Sequence, residues 1–373
     1  LSGAAAQRGK SAMSRILGAM SGGVDSSVAA KLLTEVGHTC IGCTMRLYTN
    51  EEAGLTGPHT CCSLDDVEDA RSVAWQLGMR HLVFNFSDDF RRRVIDNFIA
   101  AYRSGRTPNP CIDCNRYMKF DKLYSRAVLL GCDAVATGHY ARIERQGEVY
   151  QLKKALDPAK DQSYVLYDMT QEQLAHTLFP LGGLTKAEAR RLAAESGFVN
   201  AGKPDSQDIC FVPDGDYAAA IERLTARTAQ PGPFVGTDGR PLGTHRGIIR
   251  YTIGQHRGLG LDLPDRYFVC RICPATNTVV LGREEELYSR EAVAGPMRWI
   301  SGQAPSVPFR CAVRIRYRQA EQAATVTPLR GGAVHIAFDR PQRAVTPGQA
   351  AVLYDGDTVL GGGVLLEDGG TLR

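Results

Sequence analysis

Two groups of residues in this chain have the types and the spacing for chemistry. Residues 21–27 read S-G-G-V-D-S-S, where the glycines permit a tight turn and the serines and the aspartate supply polar groups. Cys111, Cys114 and Cys210 lie in segments marked by glycine and proline rather than in apolar, periodic stretches. The first group is suited to binding an anion, and the second to thiol or metal chemistry.

The glycine-rich string lies between a predicted strand and a predicted helix. The apolar run at 16–20 has the length of a buried parallel strand, and residues 26–35 place apolar side chains at helical spacing before Gly37. Backbone N–H groups and the positive end of the helix dipole would then face a ligand above the turn. The string matches neither G-x-x-x-x-G-K-[ST] nor G-x-G-x-x-G, so a nucleotide loop of another kind is favoured over a plain turn.

The cysteine pair Cys111 and Cys114 has the C-x-x-C spacing, with Arg106 and Arg116 close in sequence. Positive charge near a thiol lowers its pKa and favours the reactive thiolate, so this pair is predicted to be reactive. A metal site that also includes Cys210 is the alternative interpretation.

The segment around this pair is predicted to be an ordered loop. Pro108 and Pro110 lie within residues 105–115 and do not permit a helix to continue through them. The other C-x-x-C pairs, at 40–43 and 270–273, fall in strand-like runs and are interpreted as small buried residues.

The elements that must position these groups alternate regularly. Strands and helices between residues 16 and 139 predict an α/β, doubly wound parallel sheet with ligands beyond the carboxyl ends of its strands. Gly22, Met45, Cys114 and Gly138 are expected on that edge. The predicted domains are 15–214 for this nucleotide-binding part, 215–290 for a central β-rich part and 291–373 for a C-terminal β-barrel, after a disordered tail at 1–14.

Composition narrows the class of protein. A hydrophobic fraction of 43% and a charged fraction of 23% are typical of a globular protein, and no apolar run reaches the length of a membrane span. The net charge of +4 permits local basic surfaces for a phosphate-rich partner. Eleven cysteines behind an N-terminus without a secretory signal favour a reducing, cytoplasmic location.

The motifs together resemble one family. Residues 21–27 resemble the PP-loop of ATP pyrophosphatases. Six further strings follow in order: T-P-N-P-C-I-D-C-N (107–115), A-T-G-H-Y (136–140), K-D-Q-S-Y (160–164), D-S-Q-D-I-C-F (205–211), Y-T-I-G-Q-H-R-G-L-G (251–260) and R-I-R-Y-R-Q (314–319). The set is similar to the tRNA-specific 2-thiouridylase family (MnmA/TrmU) from residue 16 to about residue 360.

The resemblance implies ATP-dependent conversion of the wobble uridine (U34) of tRNA, of the Lys, Glu and Gln type, to 2-thiouridine, with ATP and Mg²⁺. Adenylation would turn the C2 oxygen into a leaving group, and a cysteine persulfide would supply the sulfur that displaces it. A second cysteine would free that sulfur by forming a disulfide. A cysteine desulfurase or a sulfur-relay protein is the implied sulfur donor.

The resemblance also assigns residues. ATP would be bound by residues of the PP-loop and of two neighbouring strand ends: Ala19, Met20, Ser21, Gly22, Gly23, Val24, Asp25, Ser26, Met45 and Gly138. The catalytic residues would be Cys114 as the nucleophile, Cys210 as the persulfide carrier and Asp25 as the residue that places magnesium. The target base and the tRNA would be contacted by Asn109, Pro110, Cys111, His139, Lys160, Asp161, Gln162, Arg316, Tyr317 and Gln349.

The alternation along residues 309–318 supports a tRNA surface independently. A period of two puts Arg310, Arg314, Arg316 and Arg318 on one strand face, as a cationic row suited to phosphates. A solvated strand face is the plainer interpretation.

Three alternatives remain at the level of sequence. Cys111 stands where some family members have aspartate, so Cys111, Cys114 and Cys210 could hold a [4Fe-4S] cluster with one open iron. A PP-loop ligase that adenylates a carboxylate would need no cysteines. A tRNA-binding protein with a purely structural loop would release no AMP.

Overall fold

The computed structural model describes residues 13–49, 54, 64–205 and 209–367. Within them the helices are α1 (Val24–Glu35), α2 (Leu64–Gln76), α3 (Ser87–Phe90), α4 (Asp96–Arg103), α5 (Pro110–Asp113), α6 (Leu123–Leu129), α7 (Gln171–Ala175), α8 (Lys186–Glu195) and α9 (Tyr217–Thr225). Two π-helical segments, Arg91–Ile95 and Cys114–Lys122, join α3 to α4 and α5 to α6 without a break.

The first sheet is parallel and doubly wound, as predicted. Its strands are β1 (Arg15–Ala19), β2 (Thr39–Arg46), β3 (Arg80–Asn85), β4 (Ala134–Ala136) and β7 (Thr177–Leu178). Among the described residues they lie in the order β3-β2-β1-β4-β7, and every pair is parallel. The order reverses between β1 and β4, which is where an open α/β sheet forms its ligand crevice.

Helices cover both faces of this sheet. One face buries Val28 of α1, Val73 of α2 and Ala189 of α8 in a common core. The other face buries a second core with Phe98 of α4 and Leu123 of α6. Because both faces are covered, β1, β2 and β4 are buried along most of their length rather than at alternate positions.

The cysteines at 40–43 confirm the interpretation made from the sequence. Cys40 is 9% exposed and Cys43 is fully buried on β2, where they serve as small apolar residues.

The segment around Cys111 and Cys114 corrects one prediction. Residues 105–109 form a loop, but helix α5 begins at Pro110, so Cys111 and Cys114 lie on the first turns of a helix. The side chain of Asn109 caps this helix by accepting a hydrogen bond from the Cys111 amide at 3.1 Å. Proline is well tolerated in the first helical position because the N–H it lacks would have no helical partner there.

The later strands form two further sheets. They are β5 (Arg142–Gln146), β6 (Val149–Lys153), β8 (Gly232–Gly236), β9 (Pro241–His245), β10 (Phe268–Cys273), β11 (Thr278–Gly282), β12 (Tyr288–Ala294), β13 (Arg298–Trp299), β14 (Phe309–Arg314), β15 (Gln322–Pro328), β16 (Val334–Arg343), β17 (Ala350–Asp355) and β18 (Thr358–Val364). The central sheet has the order β10-β11-β8-β9. The C-terminal sheet has the order β12-β16-β15-β14-β17-β18-β6-β5, with β13 paired to β18.

The hairpin β5–β6 belongs to the first part of the chain yet extends the C-terminal sheet. Thr358 of β18 pairs with Lys153 of β6 in antiparallel register. The pairing covers the edge of β18, and an unpaired strand edge is otherwise open to aggregation.

The segment after this hairpin packs firmly on the C-terminal sheet. Tyr164 is fully buried, and its hydroxyl donates to the Ala350 carbonyl at 2.7 Å. Asp168 accepts ion pairs from Arg298 at 3.3 Å and from Arg116 at 3.0 Å. The barrel and the first domain are therefore joined by buried polar contacts as well as by apolar packing.

No helix within the described part of the chain combines the length and the apolar character needed to cross a bilayer.

Replacing Tyr164 by phenylalanine tests the contact between the segment after β6 and the C-terminal sheet. We expect Tyr164→Phe to lower the free energy of unfolding by about 1–2 kcal/mol, because the buried carbonyl of Ala350 loses its donor while packing is kept. Urea unfolding followed by fluorescence measures the change, with Tyr288→Phe, at a residue 49% exposed, as the matched control. Equal stability of both variants would contradict the contact.

Candidate functional site: a phosphate loop beside two cysteines

The turn after β1 has a shape that only glycine permits. Gly22 has a φ of +77°, and a Cβ atom at this position would overlap the backbone of Asp66. Gly23 follows in extended conformation as the cap of α1. The turn therefore presents bare backbone at the N-terminus of a helix, which is the arrangement that binds phosphate groups.

The serine hydroxyls hold the turn in place. The Ser21 amide donates to Ser26 Oγ at 3.1 Å, and the Ser26 and Ser27 hydroxyls donate to the Gly23 carbonyl at 3.0 and 3.1 Å. Asn200, which is 2% exposed, donates from Nδ2 to the Gly22 carbonyl at 2.8 Å and to Ser27 Oγ at 2.9 Å. The loop is thus ordered by its own side chains and by a residue that no sequence motif singles out.

Strand β4 brings a second glycine against the helix. A Cβ atom on Gly138 would lie 2.8 Å from the Ser26 nitrogen and 2.9 Å from the Asp25 carbonyl carbon. The structure therefore gathers the predicted nucleotide residues 19–26 and Gly138 at the carboxyl ends of β1 and β4. Met45 lies near the end of the adjacent strand β2.

Asp25 is the centre of a charged cluster at this edge. Its two carboxylate oxygens lie 2.7 and 2.8 Å from Lys186 Nζ, and it accepts a hydrogen bond from the Tyr140 hydroxyl at 2.8 Å. Burial and the neighbouring carboxylate of Asp25 raise the pKa of Tyr140, which keeps the hydroxyl a donor. The side chain of Lys186 is 12% exposed. It is a cation at the phosphate loop that the sequence motifs do not indicate.

A second carboxylate completes the cluster. Asp205 lies 2.8 Å from each of Lys186, Lys160 and Arg190. Burial opposes its ionisation, but the hydrogen bonds from Lys160 and Lys186 outweigh it and hold the pKa of Asp205 at about 2. Lys160, an implied tRNA contact, is thus part of the network around the phosphate loop.

The carboxylates and thiols of the described residues include no group of three or more His, Cys, Asp or Glu side chains arranged to hold a metal ion. Magnesium that is bound through nucleotide phosphates needs only one or two protein carboxylates, and Asp25 fits that requirement. Cys111, Cys114 and Cys210 are not among such groups in the described part of the chain, and the iron–sulfur alternative stays a prediction.

The two cysteines with implied sulfur chemistry lie against one core. Cys114 and Cys210 both pack on the apolar cluster that Ala19 and Met45 of the nucleotide edge also contact. The Tyr48 hydroxyl donates to the Cys210 carbonyl at 2.7 Å. The core thus links the thiols to the edge where the nucleotide is expected.

The predicted low thiol pKa is wrong for Cys114. Burial raises the pKa of its thiol to about 11, and Lys119 opposes this only in part. The arginines expected to lower it are engaged elsewhere, since Arg116 pairs with Asp168 at 3.0 Å and Arg106 donates to Ser104 Oγ at 3.0 Å. Arg106 and Arg116 are therefore close to Cys114 in sequence, but their charges are directed to other partners.

The loop before the cysteines is held by the other two domains. The Thr107 amide donates to the Pro347 carbonyl at 2.9 Å, and Gln349 Nε2 donates to the Thr107 carbonyl at 2.8 Å. The Thr107 hydroxyl lies 3.4 Å from that of Thr252 in the central part of the chain. Gln349, an implied tRNA contact, therefore lies beside the loop that precedes Cys111 and Cys114.

Three other implied tRNA contacts are largely enclosed. His139 is buried, Lys119 donates to its Nε2 at 3.2 Å, and its Nδ1 lies 2.6 Å from the Thr137 hydroxyl. Burial and Lys119 lower the pKa of His139 well below its usual value, so the ring is neutral. Asp161 is buried, and Gln162 accepts from the Tyr140 amide at 2.9 Å. Their contacts to tRNA stay predictions.

The expected cationic row on residues 309–318 is wrong. Strand β14 ends at Arg314, so the alternation does not continue to Arg316 and Arg318. Arg310 forms a bidentate pair with Asp339 at 2.7 and 2.6 Å. Arg316 donates to the Ala344 carbonyl at 3.0 Å and to the Thr346 hydroxyl at 2.9 Å. Of the implied pair Arg316 and Tyr317, it is Tyr317, 37% exposed, that reaches the surface.

Two clefts lie away from the phosphate loop. They have volumes of about 530 and 630 Å³ and border Arg103 and Arg227 between α4, α9 and the central part of the chain. A ligand-free phosphate loop binds through backbone at a surface turn, so a deep cavity is not required there.

Family models match the chain over three consecutive ranges. A tRNA methyl transferase HUP domain matches residues 14–214, a tRNA methyl transferase PRC-barrel domain matches 223–283, and an aminomethyltransferase β-barrel domain matches 289–365. The three ranges correspond to the parallel sheet, the central sheet and the C-terminal sheet.

Known proteins are similar over nearly the whole length. The chain is 50% identical to the tRNA-specific 2-thiouridylase MnmA of Symbiobacterium thermophilum, over 96% of this chain and 93% of that protein. It is also 50% identical to the MnmA of Acetivibrio thermocellus, over 94% of this chain and 99% of that protein. A 4-thiouridine synthetase–RNA complex with bound ATP is 20% identical, with a TM-score of 0.32 over 54% of this chain and 45% of that chain.

The model descriptions mention methyl transfer, whereas the full-length relatives are named for thiolation. Because half of all positions are identical over almost the entire chain, we assign the family from these relatives rather than from the descriptions of the domain models. The chain belongs to the tRNA-specific 2-thiouridylase family, MnmA.

Proposed function

We propose that this protein catalyses the ATP-dependent 2-thiolation of the wobble uridine of tRNA, with a cysteine persulfide as the sulfur source. The observation that carries the proposal is the phosphate loop with Asp25 and Lys186, whose flanking residues pack on the same core as Cys114 and Cys210. Family membership supports the reaction class. A ligase that adenylates a carboxylate would have no use for the two cysteines.

The first step is adenylation. The C2 oxygen of the uridine attacks the α-phosphorus of ATP, an O–P bond forms, and pyrophosphate leaves. The backbone N–H groups of the turn at Gly22 and Gly23 bind the phosphates, and Asp25 supplies a carboxylate for the Mg²⁺ that accompanies ATP. Lys186 lies against Asp25 and neutralises the charge that develops on the leaving pyrophosphate.

The second step transfers sulfur. The terminal sulfur of a persulfide on Cys210 attacks C2 and displaces AMP. The thiolate of Cys114 then attacks the Cys210 sulfur, a disulfide forms between the two cysteines, and 2-thiouridine is released. A thiol reductant returns both cysteines to the reduced state, and the sulfur donor, a cysteine desulfurase or relay protein, reloads Cys210.

The raised pKa of Cys114 limits the reactivity of its thiol in the free protein. Desolvation raises the pKa of the half-buried Cys114 thiol, so it stays largely protonated in the free protein and reacts slowly with solutes. Binding of tRNA and nucleotide must change this environment for the second step to proceed.

Alkylation kinetics of the free protein test the state of Cys114. With a pKa of about 11, only about 0.1% of this thiol is ionised at pH 8, so we expect slow reaction with iodoacetamide. The rate should rise about tenfold per pH unit from pH 8 to 10 without a plateau. Peptide mass spectrometry gives the rate at Cys114 alone, and a plateau below pH 8 would show that its pKa is low.

The role of Lys186 is tested by Lys186→Met. We expect the rate of pyrophosphate release with saturating tRNA and ATP to fall on the order of 100-fold, because one charge on the leaving group is lost. Lys31→Met is the matched control, since Lys31 is also on the nucleotide domain but pairs with the exposed Glu35. Equal rates for both variants would remove Lys186 from the mechanism.

The function itself is tested by nucleoside mass analysis. Iron-free protein, incubated with ATP, Mg²⁺, unmodified tRNA and a persulfide source, should form 2-thiouridine. Cys210→Ser should abolish thiolation and leave ATP binding intact, while Cys273→Ser on β10 should behave as wild type. Retained thiolation in Cys210→Ser would show that Cys210 does not carry the persulfide.

The same samples separate the alternatives. Activity that tracks bound iron and disappears on its removal would replace the persulfide route by a cluster route. Pyrophosphate release driven by a small carboxylic acid without tRNA would indicate a ligase, and tRNA binding without AMP release would indicate a binding protein.

A further inference from the structure

The segment 160–162 reaches the phosphate loop along two separate routes. Gln162 makes two hydrogen bonds to the backbone of Tyr140. The Tyr140 amide donates to Gln162 Oε1 at 2.9 Å, and the Gln162 amide donates to the Tyr140 carbonyl at 2.9 Å. The Tyr140 hydroxyl in turn donates to Asp25. On the other side, Lys160 pairs with Asp205, which pairs with Lys186 beside the same Asp25.

Between these two arms lies a buried carboxylate. The Asp161 side chain is 2% exposed and accepts from the Ala155 amide at 3.1 Å, the Ser163 amide at 3.2 Å and the Ser163 hydroxyl at 2.8 Å. Its cationic partner, at 3.2 Å, is Arg314 of β14 in the C-terminal barrel. A buried charge of this kind is stable only while its partner remains in place.

Arg314 is itself fixed by barrel residues. It donates to Glu321 at 2.9 Å, its guanidinium lies 5.0 Å from the centre of the Tyr354 ring, and its side chain is 17% exposed. The Nε atom is buried without a hydrogen-bond partner among the described residues, so the orientation is set by the two terminal nitrogens. Arg314 precedes Arg316 and Tyr317, the implied tRNA contacts of the barrel, by two and three positions.

We propose that Arg314 is a positioning residue for the adenylation step, acting through Asp161 on the two routes that hold Asp25 and Lys186. The barrel thereby contributes to the geometry of the nucleotide site. This inference rests on the proposed function, and it gives Asp161 a role other than contact with tRNA.

The decisive experiment compares Arg314→Met with wild type in pyrophosphate release and in tRNA binding. We expect kcat for pyrophosphate release at saturating tRNA to fall roughly tenfold to hundredfold, since small displacements of catalytic groups have such effects. The Kd for tRNA should change less than about threefold, because Arg314 is enclosed. Arg290→Met, an exposed barrel arginine that donates to the Asp339 carbonyl, is the matched control.

Three outcomes overturn the proposal: an unchanged kcat, a loss that appears wholly in the Kd for tRNA, or an equal loss in Arg290→Met. If wild type itself forms no 2-thiouridine, the proposed function fails instead, and the two failures are therefore distinguishable.

A double-mutant cycle guards against a folding defect. Asp161→Asn keeps the shape of the aspartate, and Arg314→Lys keeps the positive charge of the arginine. The melting temperature of each variant identifies any that is not folded. If Arg314 acts through Asp161, Asp161→Asn should lower kcat as well, and adding Arg314→Met to it should cost little more. Arg314→Lys should recover part of the rate. Fully additive effects on kcat, or no recovery with lysine, would show that the pair does not act as a unit.

Discussion

Close approach of backbone at the start of α1 is the constraint on which the nucleotide site depends. The turn at Gly22 passes against the backbone of Asp66, and Gly138, just after β4, lies so close to α1 that a Cβ atom there would be 2.9 Å from the Asp25 carbonyl carbon. A side chain at either position would overlap this neighbouring backbone and displace the turn, or the segment after β4, from the helix N-terminus. The helix dipole and the free N–H groups would then no longer face one point.

Charge around this point is balanced by partners from distant parts of the chain. Asp25 comes from the first helix, Lys186 from α8, and Asp205 from the segment that leads to Cys210. The low pKa of Asp205 is the result of this convergence. A phosphate-binding site assembled from several segments responds to movements of each of them, and on this basis we infer that the C-terminal barrel acts on a site that it does not line.

The thiols follow a different logic from the phosphate loop. The phosphate loop is built from backbone, whereas the environment of Cys114, through desolvation, raises the pKa of its thiol. The loop that precedes Cys111 and Cys114 is anchored to Gln349 and to Thr252, so its position depends on the two other domains.

The parallel sheet, the glycine turn and the helix after it could be predicted from the sequence, because each depends on local periodicity and on the unique conformational freedom of glycine. The occurrence of a PP-loop together with cysteines in loop-like segments could also be recognised in the sequence, because this combination of motifs is rare outside such chemistry. The start of α5 was missed because a proline both ends helices and begins them, and only the Asn109 cap decides which.

Tertiary structure alone decided the electrostatics. Arg106 and Arg116 are near the cysteines in sequence but donate elsewhere, and the arginines expected on one face of β14 found separate partners in Asp339, Asp161 and backbone carbonyls. Lys186 and Asn200 reach the phosphate loop from more than 160 residues away in the chain. The pKa of a group and the partner of a charge are set by distances between segments, and a linear pattern of residues does not contain those distances.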